Sequence, residues 1–245
     1  MSVSILLTVL ITAVMSFGSI RSTNKLQLDN IQVTTRIASQ SISSNLHLLT
    51  ERIYNISTDA ELTDDSLSKK DKAAYLQDFE QEIEFVWLSV YDADGKKLYG
   101  DKTAPDSIAD TKYYSQLAET ANTVIGEPHY DQDVLQLCVG APLKANDEVC
   151  GYVIGSYKYD LLNDVLSMLI LGDTGSACII NEKGTIIADQ DEKNIADQVS
   201  IYDKNSSSKN KEIYDRILSY QTGSVTMKLH GVSPVSYTHL RAHET

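Results

Sequence analysis

Histidine and cysteine are the residue types here best able to carry nucleophilic or metal chemistry, and the chain has five and three of them. His239 and His243 stand four apart, which puts two imidazoles on one helical face as zinc requires. No Glu lies between them, and Val235-Ser-Tyr-Thr-His-Leu-Arg-Ala-His-Glu-Thr breaks the pattern of the preceding chain. Residues 235–245 are therefore expected to be a non-native tail, a translated adaptor sequence, and no metal site is expected. Asp92-Ala-Asp-Gly95 opens like a calcium loop but lacks the later acidic ligands, so it is a turn. Asn55-Ile-Ser and Asn205-Ser-Ser are glycosylation sequons by pattern only. His47 falls on a helix and His129 beside Pro128 in a loop, so no Ser/His/Asp or Cys/His constellation forms. A glycine-rich phosphate loop is also lacking. The expectation is a protein that is no enzyme, with no catalytic residue and no cofactor.

Cys138 and Cys150 flank a hairpin centred near Asn146. Opposed residues there place Cys138 across from about Ile154, leaving Cys150 roughly 13 Å away along the strand, too far for a bridge. Cys138, Cys150 and Cys178 are expected to be small buried hydrophobes.

Binding chemistry is better served. In Phe85-Val-Trp-Leu-Ser-Val-Tyr, strand alternation puts Val86, Leu88 and Val90 on one face and Trp87, Ser89 and Tyr91 on the other. Gln136 and Cys138 alternate with Leu135, Leu137 and Val139, and Tyr152, Ile154 and Ser156 share a face with Ser156 opposite about Gln136. Trp87, Ser89, Tyr91, Gln136, Tyr152 and Ser156 thus make an aromatic wall with a few hydrogen-bonding groups, the usual lining of a small-molecule pocket. A solvated outer sheet face has similar composition and is the alternative. The aliphatic face is expected to pack on a long helix.

Several elements must position that face. Met1 to Ile20 carries no charge and is close to the roughly 20 apolar residues of a spanning helix, so residues 1–20 are expected to be a signal anchor; a secretory signal peptide is the competitor. Arg21 and Lys25 follow the segment and no basic residue precedes it, which alone favours the opposite orientation; further basic residues are expected upstream. Ile42, Leu46, Leu49, Ile53 and Ile56 form one stripe of a helix over residues 21–60, either a dimer seam or the face packed on the chain's own sheet. Thr63-Asp-Asp reads as the N-cap of a second helix through Phe79. Strand Phe85–Tyr91, a Gly95 turn, a returning strand, a helix from Tyr113 to Ala121, a long ribbon turning at Lys144-Ala-Asn-Asp, and a helix from Asp160 to Leu169 follow. Ala177-Cys-Ile-Ile-Asn-Glu-Lys-Gly-Thr-Ile-Ile-Ala then repeats the first hairpin in pattern, with Gly184 matching Gly95, and 202–211 is a loop. The fold class is α+β: a long N-terminal helix with two tandem PAS-like modules on antiparallel sheets.

Tyr113-Tyr-Ser-Gln-Leu-Ala, Val124-Ile-Gly-Glu-Pro-His-Tyr, Ala141-Pro-Leu-Lys, Gly151-Tyr-Val-Ile-Gly, Leu171-Gly-Asp-Thr-Gly-Ser-Ala and Asn181-x-x-Gly-x-Ile-Ile-Ala occur in the order and spacing of double Cache sensor domains, which the chain resembles from about Asn24 to Gly231. The resemblance implies a membrane-distal module (61–170) that holds the ligand and an incomplete membrane-proximal one (171–234). It also implies an extracytoplasmic location on a membrane receptor, most often a methyl-accepting chemotaxis receptor. A histidine kinase, a diguanylate cyclase or an exported solute-binding protein is the alternative. Members that bind amino acids carry a Tyr, an Arg-x-Trp-Tyr run and a late Asp. Here the Tyr falls near Asp106, the Arg at Thr111 with Lys112 adjoining, the aromatics at Tyr113 and Tyr114, and the Asp at Ser156. The implied ligand is an organic acid or neutral polar metabolite before a free amino acid. The ligand-binding set is Trp87, Tyr91, Lys112, Tyr113, Tyr114, Gln136, Tyr152 and Ser156. A homodimer is expected, and a net charge of −13 argues against nucleic acid.

Overall fold

The computed structural model describes residues 2–82, 85–131, 134–159, 165–166, 177–181, 183–203, 208–219, 223–227 and 235–239. Helix α1 (Ser2–Ser57) carries no proline and runs unbroken for 56 residues. Its Leu49, Ile53 and Ile56 are buried among Leu88, Val90, Leu137, Val139, Ala141 and Val153, with Leu46 packed alongside. The stripe therefore serves the chain's own core. Leu26, Val33, Ile37 and Leu48 point the opposite way and are exposed. Among the described residues no helix is long and apolar enough to cross a membrane. The anchor expected at residues 1–20 depends on side chains outside them.

The second helix begins later than its sequence suggests. Asp59 caps a short α2 (Ala60–Thr63) by accepting from the Glu61 N–H. Asp64 then accepts from the Ser66 N–H, which commits Asp64 to a turn instead of a cap. Helix α3 (Lys69–Glu82) starts where Ser68 Oγ accepts from the Asp71 N–H and donates back to the Asp71 carboxylate.

Strands β1 (Phe85–Asp92), β2 (Lys97–Gly100), β3 (Val124–Ile125), β4 (His129–Asp131), β5 (Val134–Ala145) and β6 (Glu148–Lys158) form an antiparallel sheet ordered β2-β1-β6-β5-β3, with β4 also on β5. Asn146 and Asp147 both take positive φ, a two-residue hairpin turn, and the ladder shifts by one between Leu143 and Lys144. Cys138 consequently faces Ser156 and Gln136 faces Lys158, two residues from the expected register. The parity survives, because a two-residue slip keeps each side chain on its face. A bulge between Phe85 and Trp87 is less forgiving. It sends Phe85 to the helix-side core and Val86 to the aromatic side, reversing the placement expected for Val86. Cys138 is buried as expected, but Cys150 and Cys178 are exposed.

Strands β7 (Cys178–Ile180) and β8 (Ile186–Asp189) form a separate two-stranded sheet. Their hairpin copies the β1–β2 hairpin bond for bond. Asp92 Oδ1 accepts from the N–H groups of Asp94 and Lys96, and Asn181 Oδ1 from those of Lys183 and Thr185. Gly95 and Gly184 take φ of 78° and 81° and donate to the carbonyls of Asp92 and Asn181. The chain that follows docks back alike: Lys97 and Ile108 bond to Asp106 and Gly95 as Ile186 and Ile201 bond to Val199 and Gly184. Tyr91 opposes Lys97 as Ile180 opposes Ile186, each after a one-residue shift. The second unit buries Ile186, Ala188 and Ile195 (on α5, Lys193–Ala196) against Ala38 of α1 and Leu135 and Tyr159 of the first unit. Of the helix expected at 160–169, Val165 and Leu166 are helical and buried, and the remainder lies outside the described residues, as does the 171–176 motif. The stretch expected as a loop over 202–211 instead enters helix α6 (Ser208–Leu218). Residues 235–239, expected outside the fold, form strand β10 (Val235–His239) antiparallel to β9 (Gly223–Met227). His243 lies outside the described residues.

Candidate ligand-binding site

The sheet face opposite α1 is covered by helix α4 (Lys112–Thr120) and the loop leading into it. Thr111 caps α4, its Oγ1 accepting from the Tyr114 N–H, and Ala121 closes the helix in the left-handed region. The amphipathic order Lys-Tyr-Tyr-Ser-Gln-Leu-Ala turns Tyr113 and Leu117 inward. Beneath them lie Trp87, Tyr91, Cys138, Tyr152 and Ile154, with Ala104 and Ile108 from the loop and Tyr114 at the edge. Trp87 is 2% exposed.

Polar groups on this face are joined to one another. Gln136 Oε1 accepts from Trp87 Nε1 at 3.1 Å and from Ser156 Oγ at 2.5 Å, while Gln136 Nε2 donates to the Asp131 carbonyl. Tyr91 donates its hydroxyl to the Pro105 carbonyl, and Tyr114 to that of Ala93, so two rings tie down the covering loop and the hairpin turn. The Tyr114 and Tyr152 rings meet edge to face at 5.8 Å. The buried Ser89 hydroxyl has no hydrogen-bond partner among the described residues. Burial pushes the Tyr91, Tyr113 and Tyr152 phenols upward and the Cys138 thiol up to about 12, so these groups stay neutral. Cys138 Sγ lies 3.9 Å from His129 Nε2, an inert thiol beside an imidazole and no activated pair.

Trp87, Tyr91, Tyr113, Gln136, Tyr152 and Ser156 therefore come together in one buried cluster, with Tyr114 on its rim. Lys112 does not join them: its side chain is 79% exposed and its ammonium pairs with Glu127 Oε2 at 3.2 Å. Glu127 also accepts from Asn181 Nδ2 at 3.1 Å, joining α4 to the second hairpin. Burial raises the Glu127 carboxyl, but hydrogen bonds from Lys112 and Asn181 outweigh it and hold the group below its ordinary value. Of the lysines opposed to this face, Lys158 is exposed opposite Gln136, whereas Lys97, directly opposite Tyr91, is enclosed. Its side chain is 18% exposed and its ammonium reaches Asp106 Oδ1 at 3.2 Å, the Ala104 carbonyl at 2.6 Å and the Asp101 carbonyl at 3.5 Å. Sequence reasoning missed Lys97, although Lys96-Lys97 directly after the turn guarantees one lysine to each face.

Residues 19–239 match the family model of the Cache domain. No curated protein matches the chain significantly. Among solved structures, the ligand-binding domain of the Pseudomonas aeruginosa amino acid chemoreceptor PctB, in complex with L-Arg, is similar with a TM-score of 0.63 at 18% identity, over 83% of this chain and 84% of that one. The ligand-binding domain of the Pseudomonas fluorescens chemoreceptor CtaA, in complex with L-isoleucine, has a TM-score of 0.65 at 17% identity, over 88% and 86%. The extracellular domain of the histidine kinase mmHK1S-Z3 has a TM-score of 0.62 at 15% identity, over 81% and 82%.

Proposed function

The chain belongs to the Cache-domain family, and from that premise we propose that it is the extracytoplasmic sensing region of a bacterial membrane receptor, a chemotaxis receptor in the first instance. The observation that carries this reading is the aromatic face of the first sheet, where Trp87, Tyr91, Tyr113 and Tyr152 surround Gln136 and Ser156 under α4. Such a lining suits one small molecule held by apolar contact and a few hydrogen bonds. Residues 61–170 form the ligand-holding module, 171–234 the second module, and 1–20 the membrane anchor. An organic acid or neutral metabolite suits the face better than a free amino acid, because Thr111 and Ser156 stand where amino-acid binders place their charged residues. Two copies associate along the outward stripe of α1, where Leu26, Val33 and Ile37 are exposed at heptad-like spacing. Likeness to a histidine kinase sensor supports a second reading, in which the output is a kinase.

Sequencing the gene beyond the codon for residue 234 separates these outputs. A second membrane span followed by long methylation helices is the expected result. A kinase core there transfers the sensor to the second reading, and an immediate stop codon contradicts a receptor of either kind.

A further inference from the structure

The internal repeat supplies a comparison for Lys97 that needs no other protein. Every backbone bond that places Lys97 has its copy at Ile186, and every one that places Asp106 has its copy at Val199. In the second unit this position is apolar: Ile186 is buried with Ala188 and Ile195, and Val199 packs against them. The first unit puts an ammonium and a carboxylate in the same two places, 3.2 Å apart, with the lysine directly opposite Tyr91 of the aromatic face. The ion pair itself adds little to that junction, because a pair with one fully exposed partner is screened by water and the apolar pair serves the same place. The Asp106 side chain is fully exposed (100%) while Lys97 is mostly enclosed. The carboxylate can therefore swing into water at little cost and leave the ammonium facing Tyr91.

We propose that Lys97 receives the acidic group of an anionic ligand lodged against the Trp87–Tyr91 face, in the position that the Asp106 carboxylate holds in the structure. The proposal rests on the reading of that face as the ligand site. A ligand carboxylate replaces one charge-assisted bond with another, while its apolar part meets the rings. Asp106 acts as an internal competitor that sets the threshold for binding, while Lys97 keeps its bonds to the Ala104 and Asp101 carbonyls. The test uses the full chain in detergent and two probes of one skeleton, 4-methylpentanoate and 4-methylpentanamide, titrated against the emission of Trp87, the sole tryptophan. The wild type should bind the carboxylate about tenfold more tightly than the amide, the difference expected of one charge-assisted bond. Lys97→Met should erase that preference, and Asp106→Asn should tighten the carboxylate several-fold. An amide that binds as well as the carboxylate, or a preference that survives Lys97→Met, overturns the role of Lys97 while leaving the site standing. An Asp106→Asn variant with weakened carboxylate binding overturns it too. Silence from both probes counts against the face as a ligand site, and the proposal falls with it.

Discussion

Gln136 is where the buried polar groups of the aromatic face converge, and its removal has a larger effect than its own bonds suggest. Gln136→Met keeps the volume but leaves Trp87 Nε1 and Ser156 Oγ buried without an acceptor. Each stranded donor costs about 1–3 kcal/mol, so urea denaturation should show a loss of about 2–6 kcal/mol. Ser156→Ala removes one donor and strands nothing, and should cost only about 1 kcal/mol. Titration acts through the same buried groups. Cys138 and Tyr99 are both raised to about 12 by burial, from 9.0 and 10.0. A raised acid binds its proton more tightly in the folded state. Its stabilising contribution is complete below the unfolded pKa and disappears as pH climbs toward the folded one. The melting temperature should therefore lose these contributions from about pH 9 to about pH 12. Maleimide labelling at neutral pH should modify exposed Cys150 quickly and Cys138 only on unfolding.

Helix α1 shows how far element-level patterning carries. Its stripe was legible as a period in the sequence, but its partner was not, because a dimer seam and a sheet-facing stripe share one periodicity. The buried contacts of Leu49, Ile53 and Ile56 with β1, β5 and β6 decide for the sheet. Ile53→Ala should accordingly cost about 2–5 kcal/mol on denaturation. Leu48→Ala, on the outward face at 49% exposure, should change stability by less than about 0.5 kcal/mol. Ile37→Glu should weaken self-association in sedimentation experiments without moving the unfolding midpoint. Strand parity was legible for the same reason as the helix stripe, since alternation needs only the identity of each residue. Register was not: the β5–β6 ladder depends on a two-residue turn with positive φ at Asn146 and Asp147 and on a bulge between Leu143 and Lys144. The start of α3 was missed because Asp64 satisfies a local N–H and diverts the cap to Ser68. Lys97 escaped because its value comes from the loop folded over it, a contact between segments that no local pattern records.

At the scale of the whole molecule, the two hairpins are one device used twice over different linings. The second copy closes over aliphatic residues; the first closes over rings, a glutamine network and an ion pair. Glu127 joins α4 to the second hairpin, accepting from Lys112 at the helix start and from Asn181 in the second turn. A ligand moves such a receptor only by binding its two states unequally. On the proposed reading, a ligand that displaced the α4 loop would reach the second unit through Glu127 and through the shared packing on α1. The central claim is that the ligand lies against the aromatic face of the first sheet, and Trp87 reports on it directly. Small metabolites that raise the melting temperature of the full chain should be tested for their effect on Trp87 emission and its quenching by acrylamide. The account predicts that every stabilising ligand alters both. A ligand that stabilises the protein while leaving Trp87 emission and quenching unchanged would place the site elsewhere and contradict it.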